Sequence, residues 1–299
     1  MDEIKKVNTK NNIRTVTHNN LITAKGLAKL SIKARKLLYI AISQCKITDD
    51  EFYAYEISIQ EFADLMEIES SNVFREADRI TDELLSCIIQ CKPSNRKYFS
   101  KYTLFSVCEY EHDGKLKFKL NPDMTAFLLH INKDFSKPLL ADFLRMRSPY
   151  SMAVWHLMQR EMESKKPART TDIIEFDLGL DELRAVTGTE NKLKQVGQFK
   201  ERVLDKAIRE IKENCAVNIT YTNIKEGRTI VGFHFVAVNW IHIDINDIPL
   251  DVLEKVQTFK ERQSTRRRTM TPEERKKYDE LTEGAYQLEL KFIEPDKGK

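Results

Sequence analysis

The alternation of apolar and polar positions divides the chain into two similar runs of elements. Leu37 to Ile42 is continuously apolar and follows good helix formers, which predicts a buried helix within LSIKARKLLYIAISQC. Phe52, Tyr53, Tyr55 and Ile57 then predict a short strand running into Ser58. Ser58 and Glu61 stand in capping-box spacing, so each can satisfy a backbone donor at the start of a helix carrying Phe62, Leu65 and Met66. A break at Glu69 to Ser71 separates it from a longer helix, NVFREADRITDELLSCII, whose Val73, Ala77, Ile80 and Leu84 keep to one face. Next, KYTLFSVCEYEHDGKLKFKL alternates on both sides of Asp113-Gly114 and predicts a hairpin. Two helices joined by a short turn and followed by a hairpin form a helix-turn-helix with a wing. Pro122 opens a short apolar helix, and LLADFLRMRSPYSMAVWHLMQREM is helical up to the polar stretch SKKPARTT.

The second half repeats this order. IIEFDLGLDELRAVTG predicts a strand and a short helix with Asp181 and Glu182 in its first turn and Gly188 as its C-terminal stop. QFKERVLDKAIREIKEN predicts a long amphipathic helix, and VNITYTNIKEGRTIVGFHFVAV a hairpin around Glu226-Gly227. Ile57 to Phe62 aligns with Leu178 to Leu183, weakly in letters but in the same place in the order of elements. The expected fold is α+β: two tandem winged helix-turn-helix domains with a basic C-terminal tail. The divisions read as a polar N-terminal arm over residues 1–20, a first winged helix over 21–163, a second over 164–245 and a charged tail over 246–299.

Composition narrows the function. The chain has 299 residues, 41% hydrophobic and 32% charged, and no apolar run approaches the roughly 20 residues of a membrane span. Its N-terminus lacks the apolar centre of a secretory signal, and five scattered cysteines suit a reduced, cytoplasmic setting. The net charge of +3 conceals strong local differences. Residues 1–40 hold nine bases against two acids, 92–101 four bases and no acid, and 260–277 eight bases against three acids, whereas 49–69 hold eight acids and no base. Any one such segment can be an ordinary solvated face, but several basic ones in a modest chain point to nucleic acid.

On an ideal helix Phe199, Val203, Leu204, Ala207, Ile208 and Ile211 share one face, which predicts the buried side. Gln198, Arg202, Lys206 and Arg209 gather opposite, where a recognition helix meets the bases of a major groove. Arg202 and Arg209 are the better candidates for guanine, since arginine bonds two acceptors of one base edge at once. Arg228 at the wing tip, with Lys225, suits the DNA backbone. The first long helix is ambiguous: Arg75 and Arg79 can read bases or pair with Glu76, Asp78, Asp82 and Glu83 on its surface. Lys97 and Lys101 suit phosphate better than bases.

No cofactor and no metal site is expected. Cys87 and Cys91 lack a second Cys or His pair at zinc-finger spacing, and no phosphate-binding G-x-x-x-x-G-K-[ST] loop is present. A rolling-circle nickase requires a His-hydrophobic-His pair and a tyrosine nucleophile, and Ile241-His242-Ile243 supplies one histidine of the two. The chain is therefore read as a binding protein and not an enzyme.

These residues resemble the iteron-binding, theta-type plasmid replication initiators, which are built as two winged-helix domains in tandem. The resemblance spans about residues 20–240 and is carried by NNLITAKGLAKLSIKARKLLYIAI, RMRSPYSMAVWHLM, and QFKERVLDKAIREI followed by KEGRTIVGFHF. Pro149 departs from the family's helix-compatible polar residue, and a shifted helix start is expected there. The resemblance implies binding to direct repeats in double-stranded DNA at a plasmid origin, help in opening the duplex, and recruitment of host replication proteins such as a helicase or initiator. It also implies a homodimer in equilibrium with the monomer that represses its own gene. A winged-helix transcriptional repressor without a replication role is the alternative reading.

Overall fold

The computed structural model describes residues 4–10, 13–91, 100–111, 113–165, 173–215 and 217–239. Its contacts divide the chain into two compact units that interleave along the sequence: residues 1–164 with 179–210, and residues 165–178 with 211–299.

In the first unit the segment read as a polar arm contributes β1 (Ile4–Lys6) and β2 (Thr17–His18), with Thr15 and Thr17 buried and α1 (Asn19–Ile22) following. α2 (Ile32–Gln44) starts at Ser31, whose hydroxyl accepts the Ala34 N–H at 3.3 Å, and every residue from Ala34 to Ile42 is buried. The apolar run forecast this burial, which extends to the charged Arg35 and Lys36. β3 (Ala54–Ser58) leads directly into α3 (Ile59–Met66). Both halves of the forecast capping box are present: Ser58 Oγ accepts the Glu61 N–H at 3.1 Å, and Glu61 Oε2 accepts the Ser58 N–H at 3.3 Å. A short 3-10 turn over Ser70–Asn72 marks the expected break before α4 (Val73–Leu85), whose Val73, Ala77, Ile80 and Leu84 are buried.

Beyond Leu85 the structure departs from the sequence reading. Ile88 and Ile89, read as the end of the long helix, instead open strand β4 (Ile88–Cys91), paired antiparallel with β5 (Ser100–Thr103). Ile88 is 55% exposed and Ile89 fully buried, the two-residue period of a strand. β6 (Phe105–Glu111) and β7 (Lys115–Leu120) form the forecast hairpin, with Gly114 at φ 77 in its turn. β7 pairs onward with β3, and β3 pairs in parallel with β1, giving a four-stranded sheet in the order β1-β3-β7-β6.

After Pro122–Met124 come α5 (Thr125–Leu128), β8 (Phe135–Ser136), α6 (Leu140–Arg145) and α7 (Pro149–Ser164). β8 pairs with β2. Pro149 is the first residue of α7, where its missing N–H has no intrahelical partner to lose. Tyr39 stacks on Phe143 at 3.9 Å, and buried His156 sits between the hydroxyls of Tyr39 (3.0 Å) and Ser136 (3.1 Å). The unit also holds α8 (Leu180–Thr187), closed by Gly188 at φ 65, and most of α9, a continuous helix of Val196–Phe199, a π-turn over Lys200–Leu204 and Asp205–Asn214.

The second unit contains a three-stranded sheet of β9 (Ile173–Gly179), β10 (Val217–Glu226) and β11 (Thr229–Asn239), in the order β10-β11-β9. β9 alternates buried Ile174, Phe176 and Leu178 with exposed Glu175 and Asp177. Phe176 stacks on Phe235 at 5.3 Å, and Ile173 packs on Val236 and Val238. Burial of side chains of this size contributes roughly 1.5–3 kcal/mol each, which is what gives a small sheet one preferred face. Gly227, at φ 60, lets the β10–β11 hairpin turn at the forecast position.

Candidate nucleic-acid interface

The π-turn means that α9 does not advance by a uniform 100° per residue. Even so, Phe199, Val203, Leu204, Ala207, Ile208 and Ile211 are all buried, and Gln198, Arg202, Lys206 and Arg209 are all exposed. Hydrophobic burial therefore orients the helix, and the basic side chains face outward as a consequence. The side chains of Gln198, Arg202, Lys206 and Arg209 make no hydrogen bond or ion pair with another described residue, so their donors are available to a ligand. Glu201 and Asp205 are also exposed and interrupt the stripe. Glu210 accepts a hydrogen bond from the Arg147 backbone N–H, which ties the helix to the turn before α7. Buried Lys36 lies within the electrostatic reach of this contact. Burial lowers its pKa, opposed chiefly by Glu67 and by Glu210.

The wing of the second unit places Lys225 and Arg228 on either side of Gly227, all three exposed. A bulge between Ile224 and Lys225 shifts the ladder register just before the tip.

The first unit presents different chemistry. Arg79 pairs with Glu76 at 3.1 Å and Glu83 at 3.6 Å, while Lys33 reaches Glu76 at 3.1 Å. Hydrogen bonds from Arg79 and Lys33 bring the Glu76 carboxyl down to about 2. Arg75 donates to Asn72 Oδ1 at 2.9 Å. Of the two roles the sequence left open for Arg79, this arrangement displays the surface ion pair. Lys101 is exposed on β5, whereas Lys97, the 260–277 basic segment and Ile241-His242-Ile243 lie outside the described residues. Cys87 is buried, which pushes its thiol up to about 11, and the Cys91 side chain lies outside the described residues. No helix among the described residues is long and apolar enough to cross a membrane.

Two winged helix-turn-helix motifs, one with a basic outward helix, define a winged-helix protein of the nucleic-acid-binding class. Residues 14–159 match the family model described as "Initiator Replication protein, WH1", and residues 179–236 match "Initiator Rep protein, WH2", together more than half of the chain. The chain belongs to this family of two-domain replication initiators. It is also similar to a solved structure described as "Crystal structure of Pi initiator protein in complex with iteron DNA". That likeness has a TM-score of 0.65 and 22% identity, and covers 77% of this chain and 99% of the other. No curated protein matches the sequence.

Proposed function

We propose that this chain binds tandem repeats in double-stranded DNA at a plasmid origin and starts replication there, with base readout by α9 and backbone contacts from the β10–β11 wing. The observation that carries this reading is the outward face of α9. Arg202, Lys206 and Arg209 are exposed and unengaged among the described residues, while the opposite face is wholly apolar and buried. Family membership supports the initiator role, and the Pi initiator bound to iteron DNA supports repeats as the target. In this reading the monomer occupies the repeats, helps open the duplex and recruits a host helicase or initiator. A dimer represses the chain's own gene, and the chain itself catalyses no covalent step.

The test is footprinting of the full-length protein on DNA flanking its gene, together with replication of a plasmid carrying that DNA. Protected direct repeats of about 20 base pairs are expected, a length that sets two recognition elements roughly two helical turns apart. Protection of a single operator, with no replication of the plasmid, would establish a repressor instead.

A further inference from the structure

Arg184 lies on α8 among Leu183, Val186 and Thr187, and like them it is buried, with 8% of its surface exposed. A buried guanidinium is tolerated only when its donors are satisfied. Here Nη1 donates to the carbonyls of Thr189 (3.2 Å) and Lys192 (3.0 Å), and Nη2 to those of Leu193 (3.0 Å) and Lys194 (3.2 Å). The guanidinium carbon also lies 5.0 Å from the ring centroid of Phe199, the fully buried residue of the first turn of α9. One side chain thus joins the first helix of the motif, four carbonyls of the turn and the recognition helix. The turn needs such a device, because it passes through left-handed conformations at Gly188 (φ 65) and at Leu193 (φ 49), the latter strained for a residue with a side chain.

We infer that Arg184 is a positioning residue of the DNA interface, clamping the turn between α8 and α9 so that Lys192 and Lys194 face the phosphate backbone. The inference rests on the DNA-binding reading above. Its electrostatic logic is that four carbonyl oxygens point at the buried cation and not at an approaching polyanion, while the Lys192 and Lys194 side chains are exposed. Lysine cannot replace arginine in this role, since a point charge with three donors does not reproduce a planar fork of five.

The experiment measures affinity of the full-length chain against salt concentration, on the footprinted repeat and on a random-sequence duplex of equal length. Arg184→Lys should bind both duplexes about tenfold more weakly at about 0.15 M salt, with a log–log salt slope smaller by about one to two. The double variant Lys192→Gln, Lys194→Gln should show the same loss of slope at an unchanged melting temperature. Adding Arg184→Lys to that background should remove no further slope, because its targets are already gone. A purely structural arginine would lower the melting temperature and the active fraction and leave the slope intact, and that result overturns the inference. So does an additive loss of slope in the triple variant. If Arg184→Lys does not fold, the exposed lysine pair decides, and an unchanged slope there also refutes the clamp. If the wild-type chain binds neither duplex, the DNA-binding reading fails and the clamp with it; normal wild-type binding with unaltered variants refutes the clamp alone.

Discussion

Arg202 and Arg209 lie about two turns apart on α9 and are exposed without a described partner, which suits them to reading base edges. Replacing either by alanine should cost about 1–3 kcal/mol against the correct repeat and relax preference at one base position. Arg228→Ala should instead weaken binding to repeat and random duplexes alike, since a phosphate carries no sequence. Competition binding against randomised pools separates the two effects. Loss of preference in Arg75→Ala and Arg79→Ala, with preference intact in the α9 variants, would reverse the ranking of the two helices. A second residue-scale prediction concerns stability. Burial pushes the Asp142 carboxyl from 3.8 up to about 7, against the pull of Arg145 and the hydrogen bond from Trp155 Nε1 at 3.3 Å. Between these values the folded chain holds a proton that the unfolded chain has released, so this group's contribution to stability falls as pH rises from about 4 to about 7 and is level above. Buried His156 acts in the opposite sense. It stays neutral down to about 3, so its contribution is present above 6.5 and is lost as pH falls below it. Asp142→Asn should therefore gain stability over wild type as pH rises across the Asp142 window, by up to ~1.4 kcal/mol per pH unit. Urea unfolding at a series of pH values checks this, and a constant difference between the two proteins contradicts it.

At the scale of elements, the parts legible in the sequence are those whose signals are local. The capping box Ser58–Glu61, the Asp113-Gly114 and Glu226-Gly227 turns and the apolar face of α9 all appear where their spacing places them. The exception is β4, whose two isoleucines continue the apolar run of α4 and were indistinguishable from its last turn by periodicity. Partners distant in sequence make it a strand: β5 on one side, and on the other a bridge in which Lys25 N donates to Gln90 O at 3.0 Å and Gln90 N to Lys25 O at 2.8 Å. Gly26 permits that approach. It has φ 111, and a Cβ there would collide with the carbonyl oxygen of Ile88. Gly26→Ala should destabilise the chain by roughly 3 kcal/mol, adding backbone strain to overpacking. The measurement is a lower urea midpoint at an unchanged m-value, and a loss within the ordinary range of surface substitutions would show that the bridge tolerates displacement.

Over the whole molecule, a net charge of +3 is too small to attract a polyanion by itself, so the proposed binding relies on local clusters such as the α9 face and the wing. In the proposed reading, phosphate contacts from both elements would release counterions. Affinity should fall linearly with salt on logarithmic axes, by about a thousandfold or more between about 50 and 200 mM if six or more phosphates are neutralised. Fluorescence anisotropy across that range is the check, and a change of less than about threefold would contradict an interface built on these bases. The sequence by itself determined the kinds of elements, their order and the outward placement of Arg202, Lys206 and Arg209, because helix and strand periods follow from backbone geometry within a few residues. Only the tertiary structure decided that the N-terminal segment supplies β1 beside β3, that Ile88–Cys91 is a strand, that Arg79 engages Glu76 and Glu83, and that Arg184 is buried beneath the turn before α9. Each of these outcomes depends on which distant groups reach one another, and a charged or β-branched residue carries no local mark of the partner it will find.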